Sequence, residues 1–264
     1  MDLQLNDKIA LVTGSTAGIG LAIAGGLARE GATVYVNGRT RQRVDEAIRQ
    51  IEKTVIGAKV KGVDADLSTP QGAEKLFRDL PAVDVLVNNV GTYQVKPFPE
   101  ITDDEWLSIF QTNVLSGIRA SRHYLPAMLK KNWGRIIFIS SESGQQIPIE
   151  MIHYGMTKTA QLAVARGLAE TTAGTGVTVN SVLPGPTKSE GVETFVKDMA
   201  KSQGISEAIV EKGFFKTARP SSLIRRFATS EEVANLVVYV ASPKSSATNG
   251  ASLRVDGGVV RSIL

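Results

Sequence analysis

Short apolar runs alternate along the chain with longer stretches whose apolar residues recur every three or four positions. The first run, Ile9-Ala10-Leu11-Val12, precedes a glycine-containing turn and then a helical pattern through Leu21, Ile23 and Leu27. Short runs that are almost wholly apolar are typical of parallel strands buried on both faces. Further strands of this kind are predicted at 33–36, 58–63, 83–87, 136–139, 177–182 and 251–255.

The segments between these strands carry helical patterns. Helices are predicted over 41–53, over 102–131, from the region of Tyr154 to about 173, and over 230–240. Ser68 can cap another helix, which has Pro70 in its first turn. Because strands that alternate with helices imply a parallel sheet covered on both faces, we predict an α/β fold of the Rossmann type. The sheet would be doubly wound, with about seven parallel strands and helices on both faces.

One stretch departs from this regular alternation. From residue 190 to residue 229, apolar and aromatic residues lie among Lys, Glu and Ser without one clean period. An irregular excursion of this length inside a compact domain is usually functional or mobile. We predict a small helical lid over the ligand crevice at about 188–229, within a single domain that spans residues 1–264.

Composition and charge narrow the classes of function. Thirty basic and 26 acidic residues leave a net charge of +4, and the short basic clusters lack interleaved aromatic residues, so we expect no nucleic-acid binding. With no cysteine and only two histidines, His123 and His153, the chain is expected to hold no disulfide and no metal. The N-terminus lacks an apolar signal region and no long apolar run occurs, so a cytoplasmic protein without a membrane partner is expected.

A glycine-rich turn joins the first predicted strand to the first predicted helix, and it reads Gly14-Ser15-Thr16-Ala17-Gly18-Ile19-Gly20. Glycines in such a turn let the backbone approach a pyrophosphate, whose charge is stabilised at the N-terminus of the following helix. The order of strand, turn, helix and strand indicates a dinucleotide-binding unit. The spacing Gly-x-x-x-Gly-x-Gly departs from the common Gly-x-Gly-x-x-Gly fingerprint.

The end of the second predicted strand bears on the choice of cofactor. Proteins that bind NAD usually place a carboxylate there for the ribose hydroxyls of adenosine. This chain has Gly38 and Arg39, with Arg41 and Arg43 close behind. Because a guanidinium binds phosphate in a fork, the sequence favours NADP, with its 2′-phosphate, over NAD. The alternative is that these arginines only cover the first turns of the next helix.

Several polar and glycine residues stand at the carboxyl ends of predicted strands, namely Gly14, Arg39, Asp66 and Asn88. In a parallel sheet of this type, ligands bind in the crevice outside those ends. We therefore expect these residues to converge on one ligand site.

The candidate chemistry lies in Tyr154-Gly155-Met156-Thr157-Lys158, where a spacing of four residues on a helix places a phenol and an ammonium one above the other. A cation within a few Å, in a pocket that holds a second positive charge, would lower the tyrosine pKa from its usual value of about 10. Such a tyrosine can give a proton to a carbonyl or take one from an alcohol. Ser141 follows the fifth predicted strand. Asn113, an amide inside a predicted helix, is either functional or a satisfied buried group.

Taken together, these motifs resemble the short-chain dehydrogenase/reductase family, in its compact branch, from Lys8 to Gly258. The resemblance is carried by the glycine turn, by Asn88-Asn89-Val90-Gly91, by Pro184-Gly185, and by the set Asn113, Ser141, Tyr154 and Lys158. Val90 and Ser189 depart from the residues that are commoner in the family.

The resemblance implies a role for each of these residues. Tyr154 would be the proton donor and acceptor, and Lys158 would lower its pKa and bind the nicotinamide ribose. Ser141 would hold the substrate oxygen, and Asn113 would keep a water in a proton relay behind Lys158. The implied cofactor contacts are Gly14, Ser15, Thr16, Gly18, Ile19, Gly20, Arg39, Asp66, Leu67, Asn88, Gly91, Tyr154, Lys158, Pro184, Gly185 and Thr187.

The implied function is NADP-dependent hydride transfer between NADPH and a small-molecule carbonyl or alcohol. Reductases of 3-oxoacyl carrier proteins tend to carry basic residues before the fifth and sixth strands; here Lys130 and Lys131 are basic, but Asn132, Trp133, Thr172 and Thr175 are not. Carrier-bound, sugar, steroid and small-ketone substrates therefore stay open. Enoyl reductases space their tyrosine and lysine more widely than Tyr154 and Lys158 are spaced here, so enoyl reductase activity is disfavoured.

Two alternatives to this function remain. One is a regulator that binds NADP(H) without turnover, and the other is an NAD-dependent alcohol or sugar dehydrogenase. The resemblance also implies a homo-oligomer, a tetramer or a dimer, built on the helices of Asn113 and Tyr154 and on the C-terminal strand, with the apolar tail 259–264 packed against a neighbour.

Overall fold

Nine strands and nine α-helices organise the residues that a computed structural model of the chain describes, which are residues 2–263 apart from the side chains of residues 190, 191 and 195. The first and last residues of the predicted 1–264 domain lie outside the described residues. The strands are β1 (Ile9–Val12), β2 (Thr33–Gly38), β3 (Lys59–Asp64), β4 (Val85–Asn88), β5 (Gly134–Ile139), β6 (Val177–Pro184), β7 (Thr187–Lys188), β8 (Ala228–Thr229) and β9 (Ser252–Val255). The helices are α1 (Gly18–Arg29), α2 (Arg41–Thr54), α3 (Pro70–Asp79), α4 (Asp103–Phe110), α5 (Ser116–Lys131), α6 (Ile152–Thr171), α7 (Glu190–Gln203), α8 (Glu207–Thr217) and α9 (Ser230–Ala241).

Seven of the strands form one parallel sheet in the order β3-β2-β1-β4-β5-β6-β9. The chain builds outward from β1 through β2 to β3 and then returns to pair β4 with the free side of β1. The carboxyl ends of β1 and β4 therefore meet where the strand order reverses, which is the position where ligands bind in such sheets. The predicted doubly wound, seven-stranded Rossmann-type fold is confirmed.

Helices bury both faces of the sheet. Successive side chains of a strand point to opposite faces, so neighbouring residues of one strand enter different cores. Ala10 and Val12 of β1 pack into a core with α1, α2 and α9, while Leu11 between them packs into a second core with α3, α5 and α6. All three side chains are fully buried. This two-sided burial explains why the strands read as apolar runs and not as alternating patterns.

Two details of the helices differ from the sequence-based prediction. Thr69, and not Ser68, caps α3: its Oγ1 accepts a hydrogen bond from the backbone N–H of Gly72 at 3.1 Å, while the Ser68 hydroxyl donates to Asp66. The predicted helix over 102–131 begins as expected, but one π-helical turn, Gln111–Leu115, separates α4 from α5. Asn113 lies in that turn, and such turns often occur at functional sites.

The predicted lid contains two helices, α7 and α8, with a small apolar core of their own. That core is made of Val196, Ala200, Val210, Phe215 and Phe227. The two ends of the segment are held together by the short parallel pair of β7 with β8, which the sequence did not indicate. The segment 188–229, the predicted lid, thus forms a pair of helices between β6 and α9, and the chain rejoins the main sheet only at β9.

Within residues 2–263, none of the helices combines the length and the apolar character that crossing a bilayer would need.

Candidate active site

A cavity of about 210 Å³ opens at the carboxyl ends of the central strands. Eight of the predicted site residues line it: Ile19, Gly91, Ser141, Tyr154, Lys158, Pro184, Gly185 and Thr187. Asn89, Thr92, Tyr93, Ile139, Ser140 and Ser189 complete its wall. Residues of α1, β5, α6 and β6 and of the loop after β4 therefore meet at one place. The four strand-end residues expected to converge on the ligand site, Gly14, Arg39, Asp66 and Asn88, do not line this cavity.

Tyr154 and Lys158 lie one turn apart on α6, and the Lys158 Nζ atom is 5.6 Å from the centre of the Tyr154 ring. Lys158 is buried, and its Nζ donates hydrogen bonds to the carbonyl oxygen of Ile139 at 2.9 Å and to Gln161 Oε1 at 3.3 Å. These contacts fix the ammonium beneath the phenol. Tyr154 is half-buried, and its ring meets the exposed ring of Tyr93 edge-on at 6.2 Å between ring centres.

The protonation of this pair differs from the sequence-based expectation. Burial raises the pKa of Tyr154 to about 12, and it lowers the pKa of Lys158 to about 7. Removal from water disfavours the charged form of each group, which is the phenolate in one case and the ammonium in the other. The expected lowering of the Tyr154 pKa is therefore not present in this structure. At neutral pH the phenol carries its proton and Lys158 is close to its titration midpoint.

Ser141 is the second residue after β5, and its hydroxyl lies next to the phenol of Tyr154. Its Oγ accepts a hydrogen bond from the backbone N–H of Ser143 at 3.1 Å and donates to Glu142 Oε2 at 2.8 Å. Hydrogen bonding with Ser141 opposes the rise in the Tyr154 pKa that burial causes. The neighbouring Ser140 donates to the backbone carbonyl of Lys158 at 2.8 Å and so ties the end of β5 to α6.

Asn113 is fully buried, and protein groups satisfy its amide. Its Oδ1 accepts from the backbone N–H of Thr92 at 2.8 Å, and its Nδ2 donates to the Thr92 carbonyl oxygen at 2.9 Å and to Thr157 Oγ1 at 3.0 Å. Its backbone carbonyl accepts from Gln161 Nε2 at 2.6 Å. Since Gln161 also accepts from Lys158, this side chain links the Asn113 carbonyl to Lys158. The relay water behind Lys158 stays a prediction.

The glycine turn before α1 contains two glycines in the left-handed region of backbone conformation. Gly14 and Gly18 have φ angles of +59° and +54°, which other residues rarely adopt. A Cβ on Gly20 would lie 2.4 Å from Asn89 Nδ2, an atom that itself donates to the carbonyl oxygens of Thr13 and Gly14. α1 has no side-chain cap and no acidic residue in its first turn. An unpaired helix N-terminus of this kind suits an anion such as a pyrophosphate.

Ser15 and Thr16, two neighbouring residues of this turn, have different surroundings. Ser15 is fully buried, and its hydroxyl donates to the carbonyl oxygen of Val12 at 2.6 Å and accepts from the N–H of Asn37 at 3.0 Å, so it supports the turn from inside. Thr16 lies beside the end of β2, where a Cβ on Gly38 would be 2.4 Å from its methyl group.

The residues predicted for the adenosine end of the crevice lie at the ends of β2, β3 and β4. Arg39 is exposed, whereas Arg41 pairs with Asp45 at 2.7 Å. Asp66 Oδ1 accepts from the backbone N–H and the hydroxyl of Ser68. Leu67 is a core residue, 3% exposed, so its side chain packs inward.

Asn88 and the turn after β6 complete the predicted set. Asn88 Nδ2 donates to Ser121 Oγ at 3.1 Å, while its buried Oδ1 has no hydrogen-bond partner. On the other side of the cavity, the Gly185 N–H donates to the Val255 carbonyl at 3.2 Å, and the Thr187 hydroxyl donates to the Gly185 carbonyl at 2.9 Å.

Sequence reasoning assigned no role to five residues that hold the site together: Asn37, Asn89, Glu142, Gln161 and Arg219. Asn37 accepts from the Gly14 N–H and donates to the carbonyl oxygens of Val63 and Ala65, so it joins three strand ends. Asn37 and Glu142 each had a usable signal, because an amide at the end of a buried strand and a carboxylate directly after the candidate serine both require partners. Arg219 lacked one, since its partner Glu142 lies 77 residues away in the chain. Gln161 lies one turn from its partner Lys158, but its other partner, Asn113, is 48 residues away.

Comparisons with known proteins agree with this geometry. The short chain dehydrogenase family matches the chain over residues 8–200. The chain is 48% identical to the uncharacterized oxidoreductase YvrD of Bacillus subtilis, over 100% of both chains. It is 33% identical to the 3-oxoacyl acyl-carrier-protein reductase FabG of Aquifex aeolicus, over 98% of this chain and 100% of that one. Its fold is similar to that of L-sorbose reductase from Gluconobacter frateurii, solved with NADPH and L-sorbose, with a TM-score of 0.92 and 30% identity over 100% of both chains.

The chain therefore belongs to the short-chain dehydrogenase/reductase family of oxidoreductases.

Proposed function

We propose that this protein is an NADP-dependent oxidoreductase that interconverts a carbonyl and an alcohol on a small molecule, with Tyr154 as the proton donor and acceptor. The observation that carries the proposal is the arrangement of Tyr154, Ser141 and Lys158 around one cavity at the switch point of the sheet. That cavity adjoins the uncapped N-terminus of α1 through Ile19 and Asn89. A regulator without turnover would have no use for this acid–base group.

The described residues fit a bound NADP. The N–H groups at the start of α1 would take the pyrophosphate, and Arg39, which is exposed and forms no ion pair in the part of the chain that the structure describes, would take the 2′-phosphate. When bound, the nicotinamide supplies or accepts the hydride.

The chain itself handles the proton. Because the phenol of Tyr154 is protonated at neutral pH, it is ready to donate to a carbonyl oxygen held against Ser141. Lys158 lies one turn away, and in its protonated form its positive charge can stabilise the negative phenolate that forms when Tyr154 loses its proton. The state at neutral pH therefore favours carbonyl reduction, and alcohol oxidation is favoured at higher pH.

A small-molecule substrate is favoured over one presented by an acidic carrier protein. Of the two basic residues before β5, Lys131 forms an ion pair with the buried Asp84, so its charge is already neutralised. Thr172, before β6, is buried and donates to the carbonyl oxygen of Ala169. The related proteins act, by their names, on both kinds of substrate, a carrier-bound 3-oxoacyl group and the free sugar L-sorbose.

The proposal is tested by following NADPH absorbance while the purified protein meets ketoses, small ketones and a 3-oxoacyl thioester, and then the matching alcohols with NADP. Turnover of at least one carbonyl, faster with NADPH than with NADH, is expected. Tight NADPH binding without turnover of any compound would support the regulator in its place.

A further inference from the structure

A buried ion pair stands directly beside the candidate catalytic serine. Glu142 follows Ser141 and is 4% exposed, and Arg219, which follows α8 in the lid segment, is 8% exposed. Arg219 Nε donates to Glu142 Oε1 at 2.8 Å, and Arg219 Nη1 donates to Glu150 Oε1 at 3.2 Å. Moving two charges out of water costs about as much free energy as their attraction returns, so such a pair is weak support for stability alone. Its position suggests a part in the chemistry.

The ion pair of Glu142 with Arg219 is connected to the candidate active site through the hydroxyl hydrogen of Ser141, which is donated to Glu142. A serine hydroxyl has a single hydrogen to donate and two lone pairs that can accept. Ser141 donates its hydrogen to Glu142 Oε2 at 2.8 Å and accepts from the Ser143 N–H at 3.1 Å. The Ser143 hydroxyl donates to the same carboxylate oxygen. The hydroxyl hydrogen of Ser141 therefore points towards Glu142 and away from Tyr154.

This direction matters for the ionisation of the phenol. A neutral Tyr154 can donate to the free lone pair of Ser141, but a Tyr154 phenolate needs a donor, and Ser141 has none to spare while it bonds to Glu142. Glu142 thus competes with the phenolate for the same hydrogen. Arg219 opposes this competition, because it occupies Oε1 and places a positive charge against the carboxylate.

We propose that Glu142 and Arg219 are a positioning pair for Ser141: Glu142 directs the serine hydrogen away from Tyr154, and Arg219 limits that effect while it ties the lid to the site. Neither residue is assigned a contact with the reacting atoms. The consequence for turnover rests on the proposed function, whereas the effect on Tyr154 itself does not.

The charges around Tyr154 give the pair a distinctive signature. Burial is the largest cause of the raised Tyr154 pKa, and Glu142 and Tyr93 raise it further. The charge of Arg219 lowers it, as does a hydrogen bond donated by the Ser141 hydroxyl to the phenolate, for which Glu142 competes. Lys158, on the same helix, is the other ionisable group facing the ring. Removal of the Glu142 charge and removal of the Arg219 charge should therefore move the pKa in opposite directions, although either change breaks the same ion pair.

The test is a pH titration of Tyr154 by NMR of isotope-labelled tyrosine rings, in which the Tyr154 signal is the one that Tyr154→Phe lacks. We expect Glu142→Gln to lower the Tyr154 midpoint by about one pH unit and Arg219→Gln to raise it by a similar amount. Glu142→Asp and Arg219→Lys keep the charges and should stay close to the unmodified protein. The exposed pair Arg226–Glu232, 2.7 Å apart, supplies matched controls, since Arg226→Gln and Glu232→Gln remove the same charges away from Tyr154 and should shift nothing.

Shifts of the same sign, or no shift, in Glu142→Gln and Arg219→Gln would overturn the proposal, because the two residues carry opposite charges near the phenol. Since the charges alone give opposite signs, the role of the serine is tested by repeating Glu142→Gln together with Ser141→Ala. A Glu142→Gln shift that is as large without the serine hydroxyl as with it would also overturn the proposal. If neither single variant folds, the double variant leaves no unpaired charge inside and should keep a midpoint within about half a pH unit of the unmodified protein; a larger shift would contradict the proposal. The titration needs no turnover. Absence of any substrate would therefore count against the proposed function and leave this result standing.

Discussion

Lys158 is the residue whose environment differs most from what its sequence position suggests. It lies on the candidate catalytic helix, yet it is 5% exposed and its hydrogen-bond partners, the Ile139 carbonyl and Gln161 Oε1, are both uncharged. Its charge is therefore poorly compensated, which is why burial moves its pKa from 10.5 to about 7.

The lowered Lys158 pKa predicts a pH dependence of stability. Between about pH 7 and about pH 10.5 the unfolded chain binds a proton at Lys158 that the folded protein lacks, so the free energy of unfolding rises with pH across that window. Lys158→Met removes this contribution. Urea unfolding at several pH values should show that the unmodified protein gains stability relative to Lys158→Met as the pH rises, by about 2–4 kcal/mol in total. Parallel pH profiles for the two proteins would mean that Lys158 is charged in the fold at neutral pH.

The glycine turn and α1 act as one element, and two glycines of that helix separate its roles. A Cβ on Gly20 would meet Asn89 Nδ2 at 2.4 Å and the Gly14 carbonyl oxygen at 2.7 Å, whereas a Cβ on Gly25 meets nothing within 4 Å. Gly20→Ala should therefore displace the turn, weaken NADPH binding about tenfold or more and cost about 1–3 kcal/mol of stability. Gly25→Ala is the control and should stabilise the helix by up to about 1 kcal/mol. Fluorescence titration with NADPH and thermal unfolding measure both effects, and equal behaviour of the two variants would contradict this reading of the turn.

We predict that the end of β2 sets the choice of cofactor. Gly38 leaves no carboxylate for a ribose hydroxyl, and Arg39 is exposed beside it. Arg39→Ala should weaken NADPH binding about tenfold or more, because a charge-assisted hydrogen bond to phosphate is lost, and should leave NADH binding nearly unchanged. Arg49→Ala, an exposed arginine farther along α2, removes the same charge as a control. Equal weakening of NADPH and NADH by Arg39→Ala would refute the preference for NADP.

At the level of elements, the sequence determines most of this fold and part of the site. Apolar runs such as Ile9-Ala10-Leu11-Val12 predict buried strands, and the glycine turn predicts the cofactor crevice, since both signals are local. The β7–β8 pair and the bond of Arg219 to Glu142 join residues more than 40 positions apart, so no local pattern reports them. The pKa values of Tyr154 and Lys158 are also out of reach, because they depend on burial, which arises only from the packed fold.

The whole molecule leaves apolar side chains on its outer surface. Leu107 on α4 is 60% exposed, and it lies on the helix segment of Asn113, which we predict to form an interface between subunits; Ile263 in the predicted apolar tail is 94% exposed. We expect sedimentation to find a dimer or a tetramer, and Leu107→Asp to weaken that assembly by burying a charge in it. Ile56→Asp is the control, since Ile56 is fully exposed in the turn after α2. A monomer, or equal effects of the two substitutions, would contradict the predicted interface.

The proposed function depends on one proton, which Tyr154 would give to or take from the substrate oxygen next to the nicotinamide. The most direct measurement is kcat for NADPH oxidation by the unmodified protein and by Tyr154→Phe, at saturating carbonyl substrate, together with the NADPH dissociation constant of each. We predict that loss of the hydroxyl lowers kcat by about 100-fold or more, while the dissociation constant changes little. Turnover close to that of the unmodified protein in a Tyr154→Phe variant that binds NADPH normally would contradict this prediction.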